Sequence, residues 1–243
     1  MERAWPLAVM NAPHVRLSDS EGGAFFLDKF QNVVREFDQT EHRLQLSELL
    51  KAKVDTPAFR VSDDPVKYLR TGLDRLHASQ ALVQGKRNVV VSPQRCPGWL
   101  CCLLPCLNST PKMKAYHSHL AESTTVLRGG KKFLLASDDL VVGDVIFLFA
   151  GDIVPADCRI VEDTGKQALQ FNVSVLCGIV DGSQTIIANG SVQSTSDSVV
   201  ESENICRAGS LVHSGSCQCI VVSVGDNLLW SRLIKSNRWI TPR

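Results

Sequence analysis

The chain has 243 residues, 44% hydrophobic and 21% charged, which is enough apolar material to bury one large core or two small ones. A formal net charge of +1 offers no basic field for nucleic acid. No uncharged apolar run approaches the roughly 20 residues of a membrane span, and the N-terminus, with Glu2, Arg3 and Pro6, lacks the apolar core of a signal peptide.

Residues 1–25 read as an irregular tail punctuated by Pro6, Pro13 and Gly22-Gly23. Phe26, Phe30, Val33, Val34 and Phe37 then recur at helical spacing. Thr40 can cap a second segment carrying Leu44, Leu46, Leu49 and Leu50, which Pro57 interrupts. Asp63-Asp64-Pro65 opens a further helix, because proline suits a first helical turn, with Leu69, Leu73 and Leu76 along it. Residues 79–83 form one more helical turn before Gly85. Residues 96–120 are a Cys-rich connector holding Cys96, Cys101, Cys102 and Cys106 beside Trp99, Leu100, Leu103 and Leu104.

Past the connector, the spacing predicts a hairpin: strands at 124–127 and 133–135 around the turn Arg128-Gly129-Gly130-Lys131. Residues 140–162 follow. Val141, Val145 and Phe147 alternate with Val142, Ile146 and Leu148, so this run is apolar on both faces and reads as a strand buried on both sides. Ala150-Gly151-Asp152 and Pro155-Ala156-Asp157 are turns, and strand resumes at 158–161. Further strands are expected at 169–176, 185–188, 210–213 and 217–224, then a helix at 228–236. Nine scattered cysteines without a Cys-x-x-Cys pair point to reduced thiols and a cytoplasmic location.

Val142-Gly143-Asp144, Gly151-Asp152, Pro155-Ala156-Asp157 and Arg159, in that order and spacing, resemble the actuator domain of the P-type cation-transporting ATPases. The N-terminal half resembles the cytoplasmic segment of sodium/potassium- and proton/potassium-pump alpha subunits through His42, Leu44, Leu46, Glu48 and Leu49, then Gly72-Leu73, Ala78, Leu82, Gly85 and Asn88. The resemblance implies an α+β fold: a distorted antiparallel, jelly-roll-like β-domain with N-terminal helices. It implies a helical segment at 26–95, the connector at 96–120 in place of a transmembrane hairpin, the β-domain at 121–236 and a tail at 237–243. Val145, Phe147, Ile153, Val154, Ile160, Leu176, Val221 and Val222 are the expected core.

In active members of the family, a Thr-Gly-Glu-Ser loop supplies a carboxylate that positions water against an aspartyl-phosphate. The corresponding residues are Cys177, Gly178, Ile179 and Val180. Isoleucine neither accepts a proton nor orients water, and Asp181 lies two residues away, several ångströms from where catalytic placement tolerates about 1 Å. Asp28-Lys29 continues into Phe30, unlike the family's phosphorylated Asp-Lys-Thr-Gly, and no Walker-type loop is present. The sequence therefore predicts a chain that is not itself an enzyme, with no cofactor and no catalytic or metal residues. It is expected to act as a regulatory or scaffolding module on a protein partner, a membrane cation pump or transport complex. The alternative is a truncated or split pump subunit that supports transport with other chains.

Cys96, Cys101, Cys102 and Cys106 with His117 and His119 lack the Cys-x-x-Cys pairs of structural zinc sites. S-acylation of these four cysteines, giving peripheral membrane contact through 96–107, stands beside the plainer reading of a covered apolar loop. Cys217 and Cys219 share one strand face and read as small buried apolar residues. Asp144, Asp152 and Asp157 could suggest a cation site, but the resemblance makes them turn and fold residues, each placed to accept backbone N–H bonds, and they are expected to be structural.

Overall fold

The computed structural model describes residues 65–90, 120–177, 185–187 and 203–236. The expected helices within 26–50, most of the connector and residues 178–180 lie outside them. The described elements run α1 (Pro65–Thr71), α2 (Arg75–Val83), β1 (Ser123–Arg128), β2 (Lys131–Ala136), β3 (Val145–Phe149), β4 (Asp157–Asp163) and β5 (Gln170–Asn172). They continue with α3 (Ser174–Cys177), β6 (Thr185–Ile187), β7 (Ile205–Cys206), β8 (Leu211–Ser214), β9 (Ser216–Ser223) and α4 (Leu229–Lys235). Six strands form one sheet in the order β2-β1-β3-β9-β4-β7, and β6-β5-β8 form a second. Every named strand pair is antiparallel. The fold is α+β, as the sequence led us to expect.

The β1–β2 hairpin turns through Gly129 and Gly130, both at positive φ (56° and 74°). That combination matches the twist of the flanking strands and selects glycine. Val145, Ile146, Phe147 and Leu148 of β3 are all buried, because the sheet is covered on both sides. Ile146 and Leu148 enter the larger core with Val126, Ile160, Leu176 and Trp230. Val145 and Phe147 face the other way, onto Tyr68, Leu73, Ala78 and Ala81 of the helical pair. The period-2 alternation of a strand thus serves two apolar layers.

The α1–α2 pair is tied to the sheet by polar bonds as well. The Tyr68 hydroxyl donates to Gly143 O at 2.5 Å, and Gln218 Nε2 donates to Leu69 O at 2.7 Å. Gly72 separates the helices at φ 68°, and a Cβ there would lie 1.9 Å from Leu127 O, so close passage over β1 requires glycine. At the other face, Leu228, Leu229, Trp230 and Leu233 are wholly buried, which fixes α4 against the main core.

Four local expectations need correction. The strand expected from Val141 begins at Val145, since 141–144 forms a turn closed by the Asp144 carboxylate on Val141 N at 2.9 Å. The strand expected over 169–176 ends at Asn172, whose Oδ1 accepts from Ser174 N at 2.9 Å and starts the turn α3. The helix expected from Pro65 with Leu69, Leu73 and Leu76 along it is two, since Gly72 at φ 68° ends α1 at Thr71; Leu76 then falls on the outer side of α2, 72% exposed, with Ala78 and Ala81 inside. Ile153 is only half-buried, at an isolated bridge to Leu211. The other seven expected core residues are buried.

Candidate functional site

Asp144 and Asp152 lie in turns as expected, whereas Asp157, expected in a turn with Pro155 and Ala156, is the first residue of β4 because it pairs with Ser223 of β9. Asp144 is fully buried; Arg128 donates to it through Nε at 2.6 Å and Nη2 at 2.5 Å. Two parallel bonds give a planar fork its best match to a carboxylate. Burial pushes the Asp144 carboxyl above its ordinary range; the Arg128 guanidinium and the Val141 N–H pull it down without cancelling the desolvation. Arg128 Nη2 also reaches Asp139 O at 3.0 Å, so one side chain joins the β1–β2 hairpin to the turn before β3.

Asp157 begins β4 and is fully buried. Its Oδ1 accepts from Ala208 N at 2.9 Å, and its Oδ2 accepts from Leu229 N at 2.9 Å and Arg207 Nη1 at 3.2 Å. One carboxylate therefore fastens β4, the turn after β7 and the start of α4. Asp152 accepts from Phe149 N at 2.9 Å across the turn at Gly151. Asn88 closes the frame: its Nδ2 donates to Ser137 O at 3.1 Å and Pro155 O at 2.8 Å, and its Oδ1 accepts from Gly225 N at 2.9 Å. The clamping roles of Asn88, Arg128 and Arg207 had no local signal, since their partners lie up to 137 residues away.

The loop singled out by sequence begins at Cys177, the last residue of α3. Leu176, one residue before it, is wholly buried in the main core, which anchors the entry to the loop. Gly178, Ile179 and Val180 lie outside the described residues. So do Cys96, Cys101, Cys102 and Cys106, together with His117 and His119. Among the described residues no group of three or more His, Cys, Asp or Glu is placed to hold a metal ion, and no helix is long and apolar enough to cross a membrane. Cys158, Cys206, Cys217 and Cys219 are free thiols buried in the main core.

Comparison with known proteins matches this architecture. The family model described as the P-type ATPase actuator domain covers residues 118–238, about half of the chain. A sodium/potassium-transporting ATPase subunit alpha of Hydra vulgaris is 32% identical over 125 residues, 51% of this chain and 11% of that protein. Calcium-transporting ATPase 1 of Schizosaccharomyces pombe is 34% identical over 125 residues, 51% of this chain and 13% of that protein. A solved zinc-transporting PIB-type ATPase in its E2.Pi state is 21% identical, covering 50% of this chain and 17% of that one at a TM-score of 0.38, too loose a likeness to add weight. The match therefore spans a small part of the relatives' own length.

These matches correct one expectation from the sequence, that the chain is no enzyme: the relatives are ATPases, and this chain corresponds to one part of such an enzyme. With the antiparallel β-domain, its helical pair and its buried Asp–Arg frame in place, residues 118–238 are an actuator domain, and through them the chain belongs to the P-type ATPase family.

Proposed function

We propose that the chain works as a regulatory or scaffolding module that docks its actuator domain on a membrane cation pump or transport complex. The observation that carries this reading is the intact frame: Asp144 on Arg128, and Asp157 on Arg207, Ala208 and Leu229, hold the β-domain as a rigid body suited to recognition. Ile179 stands where the resemblance places a water-positioning carboxylate, so docking is the part of an actuator's work the sequence supports most directly. Capture of the tagged full chain from detergent-solubilised membranes tests it. Recovery of a cation pump by the wild type, but not by a frame-broken Asp157→Ala chain, supports the proposal; recovery of no transport protein overturns it.

A second reading rests on the same intact frame: the chain supplies an actuator to a split pump that turns over when assembled with other chains. Complementation of a pump lacking its own actuator separates the two. Turnover that rises on Ile179→Glu favours the split pump. Membrane contact through 96–107 belongs with either reading. Changing Cys96, Cys101, Cys102 and Cys106 to Ser should move the chain out of the membrane fraction if acylation holds it there, and an unchanged distribution removes acylation.

A further inference from the structure

Four thiols from three strands meet on one face of the six-stranded sheet. Cys206 Sγ lies 3.9 Å from Cys219 Sγ, and Cys217 Sγ lies 3.3 Å from Cys219 Sγ. Cys158 sits directly opposite Cys206 in the β4–β7 register, and Cys206 Sγ reaches Cys158 O at 3.5 Å. A tetrahedral zinc site would set its sulfurs about 3.8 Å apart, given a Zn–S bond of about 2.3 Å. The closest contact is shorter, and no metal-holding group is formed among the described residues. The chemistry left to such a cluster is that of thiols with one another.

Strand geometry selects the pair. Ile160 N donates to Asn204 O two residues along the ladder, so Cys158 and Cys206 also form a hydrogen-bonded antiparallel pair. The Cα atoms of such a pair stand about 5.5 Å apart, in the middle of the range a disulfide spans. Cys217 and Cys219 are i and i+2 on β9, where an extended chain puts Cα atoms about 6.8 Å apart, at the outer limit. Cys206 and Cys219 lie on strands separated by β4.

We propose that Cys158 and Cys206 are a reversible oxidation site that forms a cross-strand disulfide in response to a hydroperoxide. The Cys206 thiolate takes the terminal oxygen as the O–O bond breaks, leaving a sulfenic acid and an alcohol, or water from hydrogen peroxide. Cys158 sulfur then attacks Cys206 sulfur, the S–O bond breaks and water leaves. Two thiols and one hydroperoxide thus give one disulfide, one alcohol and one water, with two electrons passing from sulfur to oxygen.

The surroundings fit those roles. Burial, and secondarily the Asp157 charge, push the Cys206 thiol up, but hydrogen bonding with the Cys158 and Cys219 thiols and the Arg207 charge outweigh them and hold Cys206 below its ordinary value. Burial and the neighbouring Cys206 push Cys158 up, which keeps it a thiol until the sulfenic acid forms. Cys206 is only 2% exposed. It lies on β7, a two-residue strand that, among the described residues, ends the six-stranded sheet and pairs with β4 alone. An oxidant reaches Cys206 through local opening of β7, an opening whose cost includes the Asp157 bond to Ala208 N on the adjoining turn.

The test is peptide mapping of the folded full chain after hydrogen peroxide, with remaining thiols alkylated under native conditions and the digest left unreduced. A Cys158–Cys206 linked peptide that grows with peroxide dose and disappears on dithiothreitol is expected. Cys158→Ala should lose the link and accumulate a dimedone-reactive sulfenic acid on Cys206; Cys206→Ala should lose both. The proposal is overturned if the wild-type chain shows oxidised thiols elsewhere and no Cys158–Cys206 peptide, or if the link formed joins Cys217 to Cys219. The wild-type map decides between these outcomes even if an alanine variant fails to fold.

Discussion

Replacing Asp157 by alanine removes, in one step, the acceptor for two backbone N–H groups and the counter-charge of a guanidinium that is 2% exposed. Truncating one member of a buried ion pair costs about 3–5 kcal/mol, because the remaining charge loses its compensation. Each buried N–H left without an acceptor adds about 1–3 kcal/mol, and the contributions overlap because all meet at one carboxylate. A loss of about 4–6 kcal/mol is therefore expected, against a total of about 5–15 kcal/mol for a domain. Urea unfolding followed by the fluorescence of the buried Trp230 is a suitable assay. Asp157→Asn keeps a carbonyl acceptor without the charge and should fall between wild type and alanine. The double variant Asp157→Ala, Arg207→Met should recover part of the loss, since it removes the buried charge that Asp157 faced but leaves the two N–H groups wanting. If Asp157→Ala unfolds within about 1 kcal/mol of wild type, the carboxylate does not fasten the domain as argued here.

Gly72→Ala must place a Cβ 1.9 Å from Leu127 O at a φ of 68°; strain and overpacking of about 1–3 kcal/mol each should lower the urea midpoint, and an unchanged midpoint would show that the α1–α2 junction is not held against β1. Tyr68 contributes to the alkaline pH dependence. Burial, and secondarily the Asp144 charge, push its hydroxyl above the ordinary value, so the folded state holds that proton more tightly than the unfolded chain does. Its contribution is complete below the unfolded value of about 10 and falls as pH rises beyond it. Between pH 8 and 11 the wild type should lose more stability than Tyr68→Phe; equal losses would refute the assignment.

Much of the β-domain was legible because its signals are local. Gly129-Gly130 between alternating runs specifies a two-residue hairpin wherever it occurs, and a run such as Val145 to Leu148 with no polar face must be covered twice. The two Gly-Asp turns announced themselves in the same way, while Asp157 of the Pro-Ala-Asp run proved to open β4, and the positions around Cys177 to Val180 could be compared with the family residue by residue. Less legible was everything set by a phase change. Leu76 kept the spacing of Leu69 and Leu73 on paper, but a positive-φ glycine between the helices turned it to solvent. Asn172 ended a strand that hydrophobicity alone would have carried through Leu176, because its side chain offered the backbone a different partner.

The sequence by itself determined the family resemblance, the order of the β-elements and the residues that make their turns, since each depends on neighbours a few positions apart. Only the tertiary structure decided which partners those residues take. Arg128 finds Asp144, Arg207 finds Asp157, and Cys206 comes to lie opposite Cys158 because antiparallel register brings them there, and a slip of one residue would send each side chain to the opposite face of the sheet.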